Sequence, residues 1–282
     1  VSNTKPESFA EFEIRTSAPT AGERTLISPD MATCKACEKE LFDPHDRRFR
    51  YPFINCTDCG PRFTIIEDTP YDRPLTTMYK FAMCPECEAE YEDPSNRRFH
   101  AQPDACFVCG PRLYLNINSE LRKNLISPFT DDCTTTSHWE WLAGTTPTHR
   151  NREEEQARSN SIIIEAAEAL TTEKIVALKG LGGFQLACNA RSSIAVRKLR
   201  ERKHRYGKPL AVMFANIEQA ERYVHINEQE RALLEGRVRP IVLLKRRSEV
   251  EGVDLAEEVA YGMPEIGVML PYTGMHHLLL DE

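Results

Sequence analysis

Four C-x2-C pairs, set in two copies of one unit, restrict this chain more than any other feature. The segment CKACEKELFDPHDRRFRYPFINCTDCGPR (34–62) aligns without a gap on CPECEAEYEDPSNRRFHAQPDACFVCGPR (84–112), at an offset of 50 residues. Both copies carry C-x2-C, Asp-Pro, Arg-Arg-Phe, a second C-x2-C and Gly-Pro-Arg. Two copies are too few for a solenoid, so this is one supersecondary unit used twice. Eighteen residues separate Cys37 from Cys56, and eighteen separate Cys87 from Cys106. Each C-x2-C presents two thiolates from one tight turn, and two such turns close a tetrahedron around Zn2+. Gly60-Pro61 and Gly110-Pro111 follow the second pairs, where a sharp turn is needed. Cys34, Cys37, Cys56, Cys59, Cys84, Cys87, Cys106 and Cys109 are therefore expected to hold two structural zinc ions.

The simple grouping is within each repeat. A cross-braced grouping uses the same eight residues, and iron is the less common ion for four thiolates. Four protein ligands per ion leave no open position, which makes the metal structural. His45 and His100, inside the repeats, read as surface or packing residues. Cys133 and Cys188 lie outside the spacing, and Cys188 reads as a small buried hydrophobe.

Composition narrows the class. Ten cysteines without a signal-peptide core suit metal ligation in a reducing, cytoplasmic setting better than disulfides. No apolar run reaches the roughly 20 residues of a membrane span. A net charge of −7 argues against a general nucleic-acid binder.

Along the chain, residues 1–28 read as a tail or linker and 29–118 as the tandem fingers. Residues 119–160 read as a polar connector or insertion, with Trp139 and Trp141 hinting at a docking contact. From 161 to 282 strands and helices alternate. SIIIEAAEAL is a helix capped by Ser161, and IVAL (175–178) a strand. The segment 190–203 is helical, LAVMF (210–214) a strand, and IEQAERYV and EQERALLEG are helices capped by Asn216 and Asn227. PIVLLK (240–245) and EIGVML (265–270) are strands.

Two further segments carry charge and glycine together. Lys179-Gly180-Leu181-Gly182-Gly183-Phe184 lets backbone approach an anion closely, although it matches neither standard phosphate-loop pattern. Residues 191–208 hold eight Lys/Arg and one acid, ending in Lys-Pro-Leu at a strand mouth. Singly these fit an ordinary glycine turn and a solvated helix face. Together they suit a nucleoside triphosphate.

These residues resemble the HypF carbamoyltransferases, maturation factors of NiFe hydrogenases. The resemblance rests on the paired fingers with DPxxRR, on ALKGLGGFQLAC, RERKHRYGKPLAVMF and RPIVLL, and on EIGVMLPYTGMHHLLL. It covers roughly residues 25–282 apart from 119–160. The fold it implies is α+β: two small C4 zinc-finger repeats followed by a YrdC-like α/β domain with a twisted mixed sheet. That domain resembles threonylcarbamoyl-AMP synthases and a double-stranded-RNA-binding fold. The implied reaction forms carbamoyl-adenylate from carbamoyl phosphate, through carbamate, and ATP with Mg2+. The carbamoyl group then passes to the C-terminal cysteine of a HypE-like partner. By the same resemblance Lys179, Lys203 and Arg205 are catalytic. Lys179, Gly180, Gly182, Gly183, Lys203, Arg205, Lys208 and His276 hold the nucleotide, with His277 as the alternative to His276. Gln185 stands where the family commonly has His. The resemblance also makes FAEFEIRTS a candidate last strand of an acylphosphatase-like domain, and it expects the YrdC-like domain to continue past Glu282 into a Ser-Gly-Asn segment. The competing function is a non-catalytic interaction or nucleic-acid-binding module built on the same fingers.

Overall fold

In the computed structural model the described residues are 26–116, 150–250, 252 and 254–282. Expectations for the tail, for FAEFEIRTS, and for Cys133, Trp139 and Trp141 lie outside them.

Each finger opens on a helix that starts at its first cysteine pair. Helix α1 (Lys35–Phe42) has Cys34 as its N-cap, and the Cys34 sulfur accepts the Cys37 N–H. Helix α2 (Pro85–Glu92) likewise starts directly after a cysteine, Cys84, and carries Pro85 in its first turn, where its missing N–H costs nothing. The repeat extends to the backbone. Arg50 and His100 both adopt positive φ, 60° and 51°. Their N–H groups donate to Leu41 and Tyr91 at 2.8 and 3.0 Å, closing the loop back onto each helix.

Helix α3 (Arg152–Thr171) corrects the expected cap at Ser161. It begins nine residues before Ser161, and its cap is Asn151, whose side chain accepts from Glu153 and Glu154. Glu153, Glu154 and Glu155 complement the positive end of the helix dipole. Ser161 sits mid-helix with its hydroxyl on the Ala157 carbonyl.

Strands β1 (Val176–Lys179) and β2 (Phe184–Ala187) form an antiparallel hairpin with Lys179 opposite Phe184. The glycine segment is thus a hairpin loop, closed by the Gly180 N–H on the Gly183 carbonyl at 2.9 Å. Helix α4 (Ser193–Arg202) leads to β3 (Ala211–Met213). Two capped helices follow. Asn216 starts α5 (Ile217–Glu221), and Asn227 with Glu230 forms a capping box on α6 (Glu228–Glu235). Strand β4 (Val242–Lys245) pairs antiparallel with β5 (Glu265–Met269), and β3 pairs parallel with β5, giving the mixed order β3-β5-β4. Helix α7 (Gly274–Asp281), capped by Thr273, ends the chain.

Two apolar clusters form. One contains Val196, Val212, Phe214, Leu244, Ile266 and Val268 between the sheet and its helices. The other joins the finger cysteines, Leu41, Tyr51 and Phe107 to Ile163 of α3 and Leu278 of α7. The fingers are therefore packed onto the second unit. The Ala32 N–H donates to Arg237 O at 2.8 Å and the Thr33 N–H to Tyr272 O at 3.1 Å. Arg50 of the first finger reaches Asn160, Asp281 and Glu282.

Candidate metal centres and candidate nucleotide loop

The eight cysteines gather as two clusters, one per repeat: Cys34, Cys37, Cys56 and Cys59, then Cys84, Cys87, Cys106 and Cys109. Within-repeat grouping is what the fold builds. In the first cluster the sulfurs lie 3.7 Å (Cys34–Cys56), 3.8 Å (Cys56–Cys59) and 3.4 Å (Cys37–Cys59) apart. In the second they lie 3.7 Å (Cys84–Cys106), 3.9 Å (Cys106–Cys109) and 3.6 Å (Cys87–Cys109) apart. A tetrahedron with metal–sulfur bonds of about 2.3 Å has edges of about 3.8 Å, so both sets fit a four-thiolate ion. Hydrogen bonding among the sulfurs drives Cys34 and Cys106 far below the ordinary thiol range and Cys37 and Cys87 far above it. Neither His45 nor His100 belongs to a cluster; His100 stacks on Tyr91 with ring centroids 4.8 Å apart.

Arginines hold the shape. Arg62 donates through Nη2 to the carbonyls of Cys56 (2.9 Å) and Thr57 (2.8 Å), and through Nη1 to Pro61 O (2.7 Å), clamping the second turn of the first finger. In the second repeat the matching Arg112 instead pairs with Glu155 of α3 at 2.8 Å.

At the glycine hairpin, the Lys179 ammonium lies 5.1 Å from the Phe184 ring centroid, and the side chain is exposed. Gln185 donates an amide hydrogen to the Tyr272 hydroxyl. The position that departs from the family pattern therefore ties the hairpin to the segment between β5 and α7. His276 is 2% exposed, and among the described residues neither ring nitrogen has a hydrogen-bond partner. Its ring packs edge-on against Tyr272, centroids 4.5 Å apart, and burial pushes its pKa down to about 4. His277 is held at about 4 by burial and by the positive neighbours Arg239 and His276, with Nδ1 3.6 Å from Glu38 Oε1 of the first finger. His276 and Gln185 thus meet at Tyr272, although His276 lies beneath the surface.

Arg200 is the residue that charge counting overlooks. It is 2% exposed and donates to four backbone carbonyls: Glu258 (2.5 Å), Arg205 (2.7 Å), Lys208 (3.0 Å) and Val259 (3.1 Å). It pins the 203–208 loop to the 257–259 turn. Arg205 folds back onto Pro209 O at 2.9 Å. Lys203 and Lys208 are exposed, and among the described residues no hydrogen bond or ion pair engages either side chain. Cys188 is half-buried, and burial raises its thiol pKa. Among the described residues no helix is long and apolar enough to cross a membrane.

Two pseudo-symmetric four-cysteine fingers packed on a mixed α/β unit define a tandem-finger protein with a YrdC-like domain. The HypF finger model matches residues 33–66 and 83–116, and the Sua5/YciO/YrdC model, described as telomere recombination, matches 168–282. The chain is 49% identical over 278 residues to the carbamoyltransferase HypF of Synechocystis sp., covering 98% of this chain and 31% of that one. It is 45% identical to carbamoyltransferase HypF2 of Cupriavidus necator, covering 98% and 30%. A crystal structure of a full-length HypF in the phosphate- and nucleotide-bound form superposes with TM-score 0.74 at 45% identity, over 93% of this chain and 29% of that one. The HypF of T. kodakarensis superposes with TM-score 0.72 at 40% identity, over 92% and 29%. The chain belongs to the HypF family, and it spans about a third of the length of the curated relatives it matches.

Proposed function

We propose that this chain is the zinc-stapled, nucleotide-binding portion of a carbamoyltransferase acting in NiFe-hydrogenase maturation in the cytoplasm. In this reading the YrdC-like part adenylates carbamate derived from carbamoyl phosphate. A carbamate oxygen attacks the α-phosphorus of ATP, the bond to the bridging oxygen breaks, and pyrophosphate leaves. The cysteine thiolate at the C-terminus of a HypE-like partner then attacks the carbamoyl carbon, the bond to the adenylate oxygen breaks, and AMP leaves. Two zinc ions, one on each cysteine cluster, are structural.

The observation that carries the reading is the fixed basic loop. Negative charge grows on the leaving pyrophosphate, so cations held in place before reaction lower the barrier. Arg200 anchors the backbone of this loop, and Lys203 and Lys208 are exposed at its surface. Lys203 and Lys208 hold the β- and γ-phosphates, and Arg205 neutralises charge at the loop. Lys179 and the backbone of Gly180, Gly182 and Gly183 receive the carbamate and α-phosphate. Mg2+, when bound with ATP, supplies Lewis acidity at the phosphates. His276 supports Tyr272 from below.

Calorimetric titration of the zinc-loaded chain with MgATP tests this. Binding is expected, with Lys208→Ala weakening it by tenfold or more, about 1.4 kcal/mol. A folded, zinc-loaded chain that binds no MgATP favours the interaction module. Binding that Lys208→Ala leaves unchanged overturns the triphosphate assignment.

A further inference from the structure

The Arg-Arg pairs of the two repeats reach across to each other. Arg97, in the second repeat, donates Nη2 to Cys37 Sγ of the first at 3.0 Å and Nη1 to Cys34 Sγ at 3.8 Å. Its Nε bonds Glu40 of α1 at 2.9 Å. The matching Arg47, in the first repeat, donates to Cys87 Sγ of the second at 3.3 and 3.5 Å and to Glu90 of α2 at 2.5 and 3.1 Å. Arg48 adds Cys87 Sγ at 3.6 Å and Glu90 at 2.6 Å. Burial works against ionised Glu90, but Arg48 and Arg47 outweigh it and hold the carboxyl at about 2.

The exchange is reciprocal in the backbone as well. Arg48 Nε donates to Ala105 O at 3.0 Å, and Arg98 Nε to Asn55 O at 3.1 Å. The symmetry of the repeat also breaks between the fingers. Asp104, fully buried, accepts from Arg48 at 2.8 Å and lies 3.5 Å from Arg98. Its counterpart Ile54 instead faces Gly274 of α7. One carboxylate therefore pins both inner arginines between the fingers.

We propose that Arg97 positions the thiolates of the first cluster and Arg47 those of the second, each serving the metal of the repeat to which it does not belong. This rests on the reading of the clusters as metal sites. Four thiolates around a divalent ion leave a net charge of −2, and a guanidinium donor at the sulfur offsets it and fixes its lone pairs. Outer-shell partners of metal ligands typically alter metal affinity by about 10–100-fold.

Cadmium-113 NMR resolves the prediction. The cadmium-loaded chain is expected to give two resonances, assigned by the shifts that Cys34→Ser and Cys84→Ser produce. Competition with a chelator then measures each site separately. Arg97→Met is expected to weaken the Cys34/Cys37/Cys56/Cys59 site by tenfold or more, and the other site by less. Arg47→Met is expected to do the reverse. Arg97→Lys keeps the charge and guards against misfolding; it is expected to weaken the same site severalfold. Equal loss at both sites, loss confined to the repeat that carries the substitution, or no loss at either overturns the proposal. A wild-type chain that binds no cadmium overturns the metal reading itself.

Discussion

His276 combines full burial with two unpartnered ring nitrogens, and this has a consequence for pH. Its folded pKa is about 4, against the ordinary 6.5. Between those values the unfolded chain takes up a proton that the folded chain refuses. Stability from this residue is intact above pH 6.5 and is lost as the pH falls toward 4, by up to about 1.4 kcal/mol per pH unit. His276→Leu removes the titration and the orphaned nitrogens together. Denaturant unfolding of the metal-loaded chain is expected to show wild-type or higher stability at pH 7.5, and a slope between pH 6.5 and 5 shallower by about one proton. An unchanged slope contradicts the burial argument. The side chain's place could not be read from PYTGMHHLLL, because its packing partner Tyr272 is placed by the tertiary fold, as is Gly274 of the same helix against Pro52 and Ile54 of the first finger.

Elements built on glycine differ in what the glycine does. At Gly110 a Cβ would sit 2.0 Å from Tyr51 Oη, 2.6 Å from Ala105 Cβ and 3.0 Å from Cys106 O, so nothing larger fits. Gly110→Ala is expected to cost about 3 kcal/mol or more and to release the second metal. Gly182 has φ +78° with open space around it. Gly182→Ala is expected to cost only about 1–2 kcal/mol of backbone strain and to leave both metals bound. Thermal unfolding with metal analysis separates the two; equal effects would refute the distinction. The cap residues Asn216 and Asn227 and strands β1, β3, β4 and β5 were legible because each is a local pattern. Strand β2 was not: FQLA is short, with both large apolar side chains, Phe184 and Leu186, exposed. The start of helix α3 leaves no local signal, because its first turns are a charged run without an apolar stripe.

For the whole molecule, the shared core makes the cysteine clusters more than a finger device. Ile163 and Leu278 belong to the same cluster as the cysteines. Chelation is therefore expected to remove amide-exchange protection from residues 30–115 and also from α7, while β3-β5-β4 keeps its own. Protection retained at 30–115 after complete metal removal would refute metal-dependent folding.

By itself the sequence determined the eight clustered cysteines, their membership in two equivalent units, the caps and the strand-forming runs. Spacing records these, since each depends on residues within about one turn or one repeat. Tertiary structure alone decided that thiolates group within repeats while arginines cross between them. It also decided that Gln185 bonds Tyr272, and that Arg200 holds the basic loop rather than joining its charge. The physical reason is distance along the chain. Arg97 and Cys37 are 60 residues apart and Gln185 and Tyr272 are 87, and contacts of that range leave no periodic trace in a single sequence.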